Sequence, residues 1–102
     1  MSRTVINIKC DDLQNANMVA EKILTANKYQ KISENSETVW KSGMGLLTAI
    51  KYIKIEFTDG NTMSISGWIR PMASGEQDLT GAFAAMPKKQ VMNVIRKIQS
   101  SI

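Results

Sequence analysis

Histidine is absent from this sequence of 102 residues, and cysteine occurs only once. Without histidine the chain has no imidazole base, no serine–histidine or cysteine–histidine nucleophile pair and no imidazole metal ligand. With Cys10 alone it has no internal disulfide, no paired-cysteine redox motif and no closed thiolate zinc site. The sequence therefore predicts a protein that is not an enzyme and that uses neither a cofactor nor a metal.

Long apolar runs are also missing from the sequence. No window approaches the roughly 20 apolar residues that a membrane-spanning helix needs. The segment Met1 to Ile6 lacks the apolar stretch of a secretory signal peptide. A lone cysteine within an apolar run, as at Cys10, is typical of a reducing compartment. We therefore expect a cytoplasmic protein with no membrane partner.

Aromatic residues make up only 6% of the sequence, whereas hydrophobic residues as a whole make up 43%. Aliphatic side chains and seven methionines must therefore fill most of the core. The length is that of one domain, which we expect to span residues 1–102. The net charge is +4, but the lysines and arginines are scattered along the chain. Such scattering is typical of a solvated surface.

The first half of the chain shows a strand pattern followed by a helix pattern. Residues 4–10 alternate between apolar and polar, which predicts a strand. Asp11 or Asp12 is suited to cap a helix, because its carboxylate accepts a free amide of the first turn. Apolar residues then follow helical spacing up to Asn27, a suitable left-handed terminator. Two weaker strand patterns follow, over residues 28–33 and 38–41.

The strongest pattern is a pair of alternating segments, residues 50–58 and 62–70, joined by Asp-Gly-Asn. A two-residue Asp-Gly turn would pair Phe57 with Thr62 and place apolar side chains opposite polar ones. A three-residue loop pairs Phe57 with Met63 and keeps one face apolar. Because a slip of one residue moves every side chain to the other face, burial selects the second register.

The segment from Pro71 to Met86 has no clear periodicity. A connection of this length is often functional, or it contains an unrecognised strand or turn, and both alternatives remain at this point. Pro87 then suits the first turn of a final helix. Four apolar residues of that helix share one face: Val91, Ile95, Ile98 and Ile102.

The element order is β-α-β-β-β-β-α. This order favours an α+β fold, with an antiparallel sheet of about five strands and two helices packed on one face. It resembles the TATA-binding-protein-like, or helix-grip, arrangement. The helix-grip families that bind lipids are longer, so we expect no large internal cavity. Three motifs also resemble a family of small uncharacterised bacterial proteins, a resemblance that implies no activity: Val39-Trp40-Lys41-x-Gly43, Thr80-Gly81-x-Phe83 and Pro87-Lys88-Lys89.

Carboxylates are the remaining candidates for acid–base or metal chemistry. Asp11 and Asp12 are explained by helix capping. Glu76 and Asp78 are spaced like a minimal pair of hard-cation ligands, but two carboxylates alone make a poor calcium or magnesium site. We therefore expect no catalytic residue and no metal ligand among them.

The predicted register also places Tyr52 opposite Trp68, on the face that points away from the helices, and Lys54 and Arg70 share that face. Aromatic rings beside cations on an open sheet are how many single-strand binders stack bases and contact phosphates. An exposed aromatic patch is equally typical of a protein interface. A third interpretation is that the pair only stabilises the sheet as cross-strand neighbours.

We therefore predict a binding surface around Tyr52, Lys54, Trp68 and Arg70, extended by the segment 71–86. Two functions follow from it. The first is a non-catalytic interaction domain whose partner is an unknown protein or a second copy of the chain in a homodimer. The alternative is a single-stranded nucleic-acid-binding module. An exposed Trp68 ring would be removable without opening a core cavity, leaving the fold largely intact.

Overall fold

The computed structural model of the protein describes residues 3–43, 49–58, 60–71, 75–81 and 84–102. This part of the chain forms one antiparallel sheet in the order β1-β5-β4-β3-β2. The α+β fold class and the element order β-α-β-β-β-β-α are confirmed. The elements are β1 (Thr4–Lys9), α1 (Leu13–Ala26), β2 (Gln30–Glu34), β3 (Glu37–Ser42), β4 (Ile50–Thr58), β5 (Thr62–Arg70) and α2 (Ala85–Ser101).

The main core lies between the two helices and one face of the sheet. Helix α1 contributes Ala16, Ala20 and Leu24, whose spacing of four residues places them on one side of the helix. Neither helix in the described ranges is long and apolar enough to cross a membrane. The core residues of α2, β4 and β5 that are fully buried include Val91, Ile95, Ile98, Ile53, Met63, Ile65 and Ile69.

The ends of α1 follow the sequence closely, with one correction. Asp12 is the N-cap residue, and its carboxylate accepts a hydrogen bond from the backbone amide of Asn15 at 3.1 Å. Asn27 was predicted to take the left-handed conformation, but its φ is −96°. Lys28 has the positive φ instead, at 68°. Cys10 is buried in the main core, as the alternation of β1 indicates.

The central hairpin has the predicted register. Phe57 pairs with Met63, and Thr58 pairs with Thr62, so the loop between the strands contains three residues. Gly60 has a φ of +74°, a left-handed conformation that glycine adopts at little cost. Asp59 lies outside the described residues. Phe57 is 40% exposed, and its pair with Met63 lies next to the last pair of the hairpin before the loop.

The two weaker strands differ from their predicted bounds. The first begins two residues later than predicted, and the second extends one residue further at each end. The turn between them consists of Asn35 and Ser36, both with positive φ, at 53° and 66°. Such a pair of left-handed residues is typical of two-residue hairpin turns that match the twist of the strands. After β3, Gly43 also has a positive φ, and residues 44–48 lie outside the described ranges.

The segment between β5 and α2 contains a short strand-like contact. The backbone amide of Gln77 donates to the Ile69 carbonyl at 2.9 Å, and the Ile69 amide donates to the Gln77 carbonyl at 3.0 Å. This is an isolated bridge of one residue to β5 and not a further strand, so neither alternative for the segment is confirmed. Residues 72–74 and 82–83 of the segment lie outside the described ranges.

Helix α2 begins two residues before Pro87, which therefore lies in its first turn as predicted. Val91, Ile95 and Ile98 are fully buried, and the apolar stripe is confirmed for these residues. The prediction is wrong for Ile102, which is 38% exposed because it caps the end of the helix.

Candidate functional site

The face of the sheet opposite the helices, called here the outer face, carries a stacked pair of aromatic rings. Tyr52 and Trp68 are cross-strand partners, with ring centroids 5.3 Å apart and ring planes inclined by 7°. Each residue is only 2% exposed. The pairing was predicted correctly, but the expectation that these rings form an exposed patch is wrong. They belong to a second small core with Val39, Ile32 and Ile50.

Arg3 covers the Trp68 ring. Its guanidinium carbon lies 3.6 Å from the ring centroid, a cation–π contact. The same guanidinium donates two hydrogen bonds to Glu37 and two to Glu76, at 2.9 to 3.0 Å. These paired bonds raise the pKa of Arg3 above its ordinary value, the Glu37 bonds contributing most. Through these hydrogen bonds, Arg3 joins the start of β3 to the segment after β5 over the Trp68 ring.

Glu34 organises the neighbouring part of the outer face. The Tyr52 hydroxyl donates to Glu34 Oε1 at 2.8 Å, and Lys41 donates to Glu34 Oε2 at 3.2 Å. Arg70 donates to Glu34 Oε1 at 3.3 Å. The hydrogen bond from Tyr52 and then that from Lys41 lower the pKa of Glu34. Burial, followed by the bond to Glu34, raises the pKa of Tyr52.

Lys54 completes this arrangement, since it donates to Glu37 at 2.9 Å and lies 3.8 Å from the Glu56 carboxylate. We call the charged groups over the aromatic pair the ion-pair cover. It contains four cations and four anions and is therefore electrically neutral: Arg3, Lys41, Lys54, Arg70, Glu34, Glu37, Glu56 and Glu76. The cations predicted to contact phosphates, Lys54 and Arg70, are both paired with carboxylates.

The ion-pair cover makes the stability of the protein depend on pH in the acidic range. Hydrogen bonds from Arg3 and then Lys54 lower the pKa of Glu37 from 4.5 to about 2. A carboxyl whose pKa is lower in the folded state stabilises the fold above its unfolded pKa, and this stabilisation is lost as the pH falls through the folded value. We expect the free energy of unfolding to decrease as the pH falls from 4.5 toward 2. Urea unfolding at a series of pH values measures this, and the curve of Glu37→Gln should be flatter than that of the wild type. Parallel curves for the two proteins would contradict the prediction.

Sequence reasoning missed the residues that cover the aromatic pair. Arg3 precedes β1, and strand alternation places it on the same face as Val5. Its position on the outer face could therefore have been predicted from the sequence. Glu76 carried no such signal, because its position depends on the path of the segment after β5. The site residues Tyr52, Lys54, Trp68 and Arg70 do come together on one face, but as a buried pair and two paired cations.

A polar groove with a volume of about 320 Å³ lies on the other side of the molecule, between α2 and the sheet. Helix α2 contributes one wall through Gln90, Asn93, Val94 and Lys97, which recur every three or four residues on one side of the helix. Lys51 of β4 and two residues at the end of α1, Asn27 and Tyr29, complete the lining. The volume is within the range of small-molecule sites.

Existing hydrogen bonds orient the polar groups of the groove. Lys51 Nζ donates to Gln90 Oε1 at 3.2 Å, which leaves the amide nitrogen of Gln90 as a further donor. Asn27 Nδ2 donates to the Ile23 carbonyl at 2.8 Å, which leaves the carbonyl oxygen of Asn27 as an acceptor. Donors and an acceptor are therefore contributed by different parts of the same groove.

Tyr29 is a lining residue of the groove that also belongs to the main core, and it is only 4% exposed. Its hydroxyl is buried and has no hydrogen-bond partner among the described residues. Burial raises the pKa of this hydroxyl above its ordinary value, so it is neutral at physiological pH. A buried hydroxyl without a partner costs about 1–3 kcal/mol.

The charged side chains that line the groove are positive. Its lining includes two lysines and no carboxylate. Neither Lys51 nor Lys97 forms an ion pair with any residue in the described ranges. Helix α2 as a whole has four cations and no acidic residue. Because the ion-pair cover is neutral, the net charge of +4 comes from residues outside that cover.

Sequence reasoning did not find this groove, although two signals were present. Lys51 interrupts the apolar face of β4, since it lies two residues before Ile53 on the same side of the strand. Gln90, Asn93 and Lys97 form a polar stripe beside the apolar stripe of α2. Neither signal shows that the two elements face each other, because that depends on the packing of α2 on the sheet.

The candidate metal ligands are engaged in other contacts. Glu76 binds Arg3, and Asp78 accepts hydrogen bonds from the hydroxyl and the backbone amide of Thr80. These bonds lower the pKa of Asp78, that from the Thr80 hydroxyl contributing most. In the part of the chain that the structure describes, no three side chains of cysteine, aspartate or glutamate are grouped so as to hold a metal ion.

The fold class agrees with the helix-grip element order, and the resemblance to a small bacterial family stays a prediction. The chain matches no family model, no curated protein and no solved structure.

Proposed function

We propose that this protein is a non-catalytic binding domain whose site is the polar groove and whose ligand is a small anion. The observation that carries the proposal is the pair of lysines, Lys51 and Lys97, on a concave surface that has no carboxylate in its lining. Two ammonium groups with a neighbouring amide donor, Gln90, complement an oxyanion through charge-assisted hydrogen bonds.

The size and composition of the groove support a small ligand. A volume of about 320 Å³ is at the lower end of the range of small-molecule sites. The groove is lined mainly by polar side chains, which distinguishes it from the apolar pockets that take lipids.

Titration with inorganic phosphate and with succinate, followed by NMR, tests this proposal. We expect the largest shifts in the side-chain amide signals of Gln90, Asn93 and Asn27. Replacing both lysines, in Lys51→Gln with Lys97→Gln, should weaken binding at least about tenfold, because hydrogen bonds to charged groups contribute about that factor or more.

A matched control keeps the net charge of the variant but leaves the groove intact. Lys22→Gln with Lys89→Gln removes the same two charges from exposed positions that do not line the groove. We expect this control to bind both probes nearly as well as the wild type. Equal weakening in both double variants, or shifts spread over all basic residues, would mean that the anions bind non-specifically and that the proposal is wrong.

The binding predicted at the outer face stays a prediction in two forms, self-association and contact with single-stranded nucleic acid. Either partner would meet the ion-pair cover first, because Tyr52 and Trp68 are buried beneath it. A nucleic acid would also have to separate Lys54 and Arg70 from their carboxylates. A mass that rises with protein concentration supports the first form, and oligonucleotide binding that weakens with salt supports the second.

A cytoplasmic location also stays a prediction, made from the lone cysteine. It is consistent with the burial of Cys10, whose thiol lies 3.5 Å from the Ile8 carbonyl oxygen. A thiol in such a position behaves as a small apolar side chain.

A further inference from the structure

We infer that β1 pairs with the same strand of a second copy of the chain, so that the two sheets join into one. The sheet order places β1 at one end, with β5 as its neighbour on one side. The other side, called here the open edge, has no backbone partner among the described residues. It is separate from the polar groove, which no residue of β1 lines.

The backbone groups at the open edge belong to Val5, Asn7 and Lys9. The amide of Cys10 donates to the Asn61 carbonyl at 2.8 Å, on the side of β5. Because successive residues of a strand direct their amides and carbonyls to opposite sides, the even-numbered residues of β1 bond to β5. The three odd-numbered residues therefore direct theirs at the open edge.

The hydrogen bonds of β5 show the same alternation. Ile69 exchanges both of its backbone bonds with Gln77, on the side of β5 that β4 does not occupy. The odd-numbered residues of β5 therefore direct their backbone groups toward β1, where they oppose Thr4, Ile6 and Ile8. These three residues are bonded to β5, which leaves the odd-numbered ones free.

The residue types of β1 favour pairing at this edge. The strand at the opposite end of the sheet, β2, contains Lys31 and Glu34. Charged side chains are a common means by which proteins keep a strand edge from pairing. Residues 4–8 contain neither a charge nor a proline. The open edge of β1 therefore lacks this protection.

Apolar surface at the edge of the sheet favours a second strand there as well. Val5 is 54% exposed. On the opposite face of β1, Ile6 and Ile8 are only partly buried, whereas their partners on β5, Ile65 and Met63, are fully buried. A strand added at the open edge covers the exposed sides of both isoleucines.

Charge and backbone pairing select one register. An axis through Asn7 places Val5 opposite Lys9 of the second copy, and it pairs all three open residues, so every amide and carbonyl of the open edge is satisfied. An axis through Ile6 places Lys9 opposite Arg3, and like charges directly opposite each other are unfavourable. The first register also keeps the helices of both copies on one face, because its two-fold axis is perpendicular to the sheet.

Disulfide formation between two copies tests this register. In Asn7→Cys the two thiols oppose each other, with Cα atoms about 5.5 Å apart, a distance that a disulfide spans. In Val5→Cys the two positions are about 14 Å apart, since each lies four residues from the other along the paired strands. Under mild oxidation we expect covalent dimers of Asn7→Cys to form at least about tenfold faster. Both variants retain the buried Cys10, so its contribution is the same in each.

Sedimentation over a range of protein concentrations gives the dissociation constant of the dimer. Val5→Lys places like charges opposite each other at two symmetry-related positions, so we expect this constant to rise at least about threefold. Adding Lys9→Glu makes these pairs attractive and should restore the wild-type constant. Ser33→Lys is the matched control, because it adds the same charge at an exposed position on the opposite edge strand. We expect the control to dimerise like the wild type, and a normal thermal melt shows that each variant is folded.

Three results would overturn the inference. The first is a wild-type protein that stays monomeric up to about 1 mM. The second is equal cross-linking of Asn7→Cys and Val5→Cys, as expected for a dimer that uses another surface. The third is a double variant, Val5→Lys with Lys9→Glu, that dimerises no better than Val5→Lys alone. None of them bears on anion binding, because the groove and the open edge share no residue.

Discussion

Trp68→Ala is expected to lower the free energy of unfolding by about 3–5 kcal/mol, the usual cost of removing a buried tryptophan. The side chain is 2% exposed, stacks on Tyr52 and is covered by Arg3. Its removal leaves a cavity beneath the ion-pair cover and takes away the aromatic surface on which the guanidinium lies. For a domain of this size, such a loss lowers the melting temperature by at least about 12 °C.

Thermal and urea unfolding of the variant measure this effect. Ser64→Ala is the matched control, because Ser64 is on the same face of β5 but is partly exposed and lies outside the aromatic pair. Most surface substitutions change stability by no more than about 0.5 kcal/mol, so we expect a near-normal melt for the control. A near-normal melt of Trp68→Ala as well would show that the ring is not part of a core, contrary to the structure.

Gly67→Ala is expected to destabilise the protein by about 1–3 kcal/mol through overpacking. A β-carbon at Gly67 would lie 2.7 Å from Ile95 Cδ1, 3.0 Å from Leu79 Cδ1 and 3.1 Å from Val91 Cγ1. Ile95 and Val91 are fully buried residues of α2, so these methyl groups have little room to move. The glycine lets the helix approach the sheet closely.

Gly75→Ala is the control for this second prediction, since a β-carbon at Gly75 meets nothing within 4 Å. Its effect on the melting temperature should be small. Combining Gly67→Ala with Ile95→Val removes the nearest methyl group, and the double variant should lose less stability than the two single variants together. Strict additivity of the two changes would refute a direct clash between the added methyl group and Ile95.

The largest difference between sequence reasoning and structure concerns the outer face. Alternation within β4 and β5 correctly predicted that Tyr52 faces Trp68, because side chains in a strand alternate with a period of two. Alternation does not show whether a face is exposed. The cover depends on Arg3 and Glu76, which bond directly although 73 positions separate them in the sequence.

The groove shows the same division between local and tertiary information. The polar stripe of α2 and the charge at Lys51 can be recognised in the sequence, but each is also typical of a solvated surface. They become a site only because α2 packs across the sheet near the end of α1, where Asn27 and Tyr29 complete the lining.

The sequence by itself determined the element order, the three-residue loop of the central hairpin and the register that pairs Phe57 with Met63. These features depend on the periodicity of neighbouring residues, which can be recognised in the sequence alone. Only the tertiary structure decided that the aromatic pair is buried, that its neighbouring cations are neutralised and that unpaired lysines of the described chain line a groove. Burial and ion pairing depend on which distant segments meet, and that is set by how the helices and connections pack on the sheet.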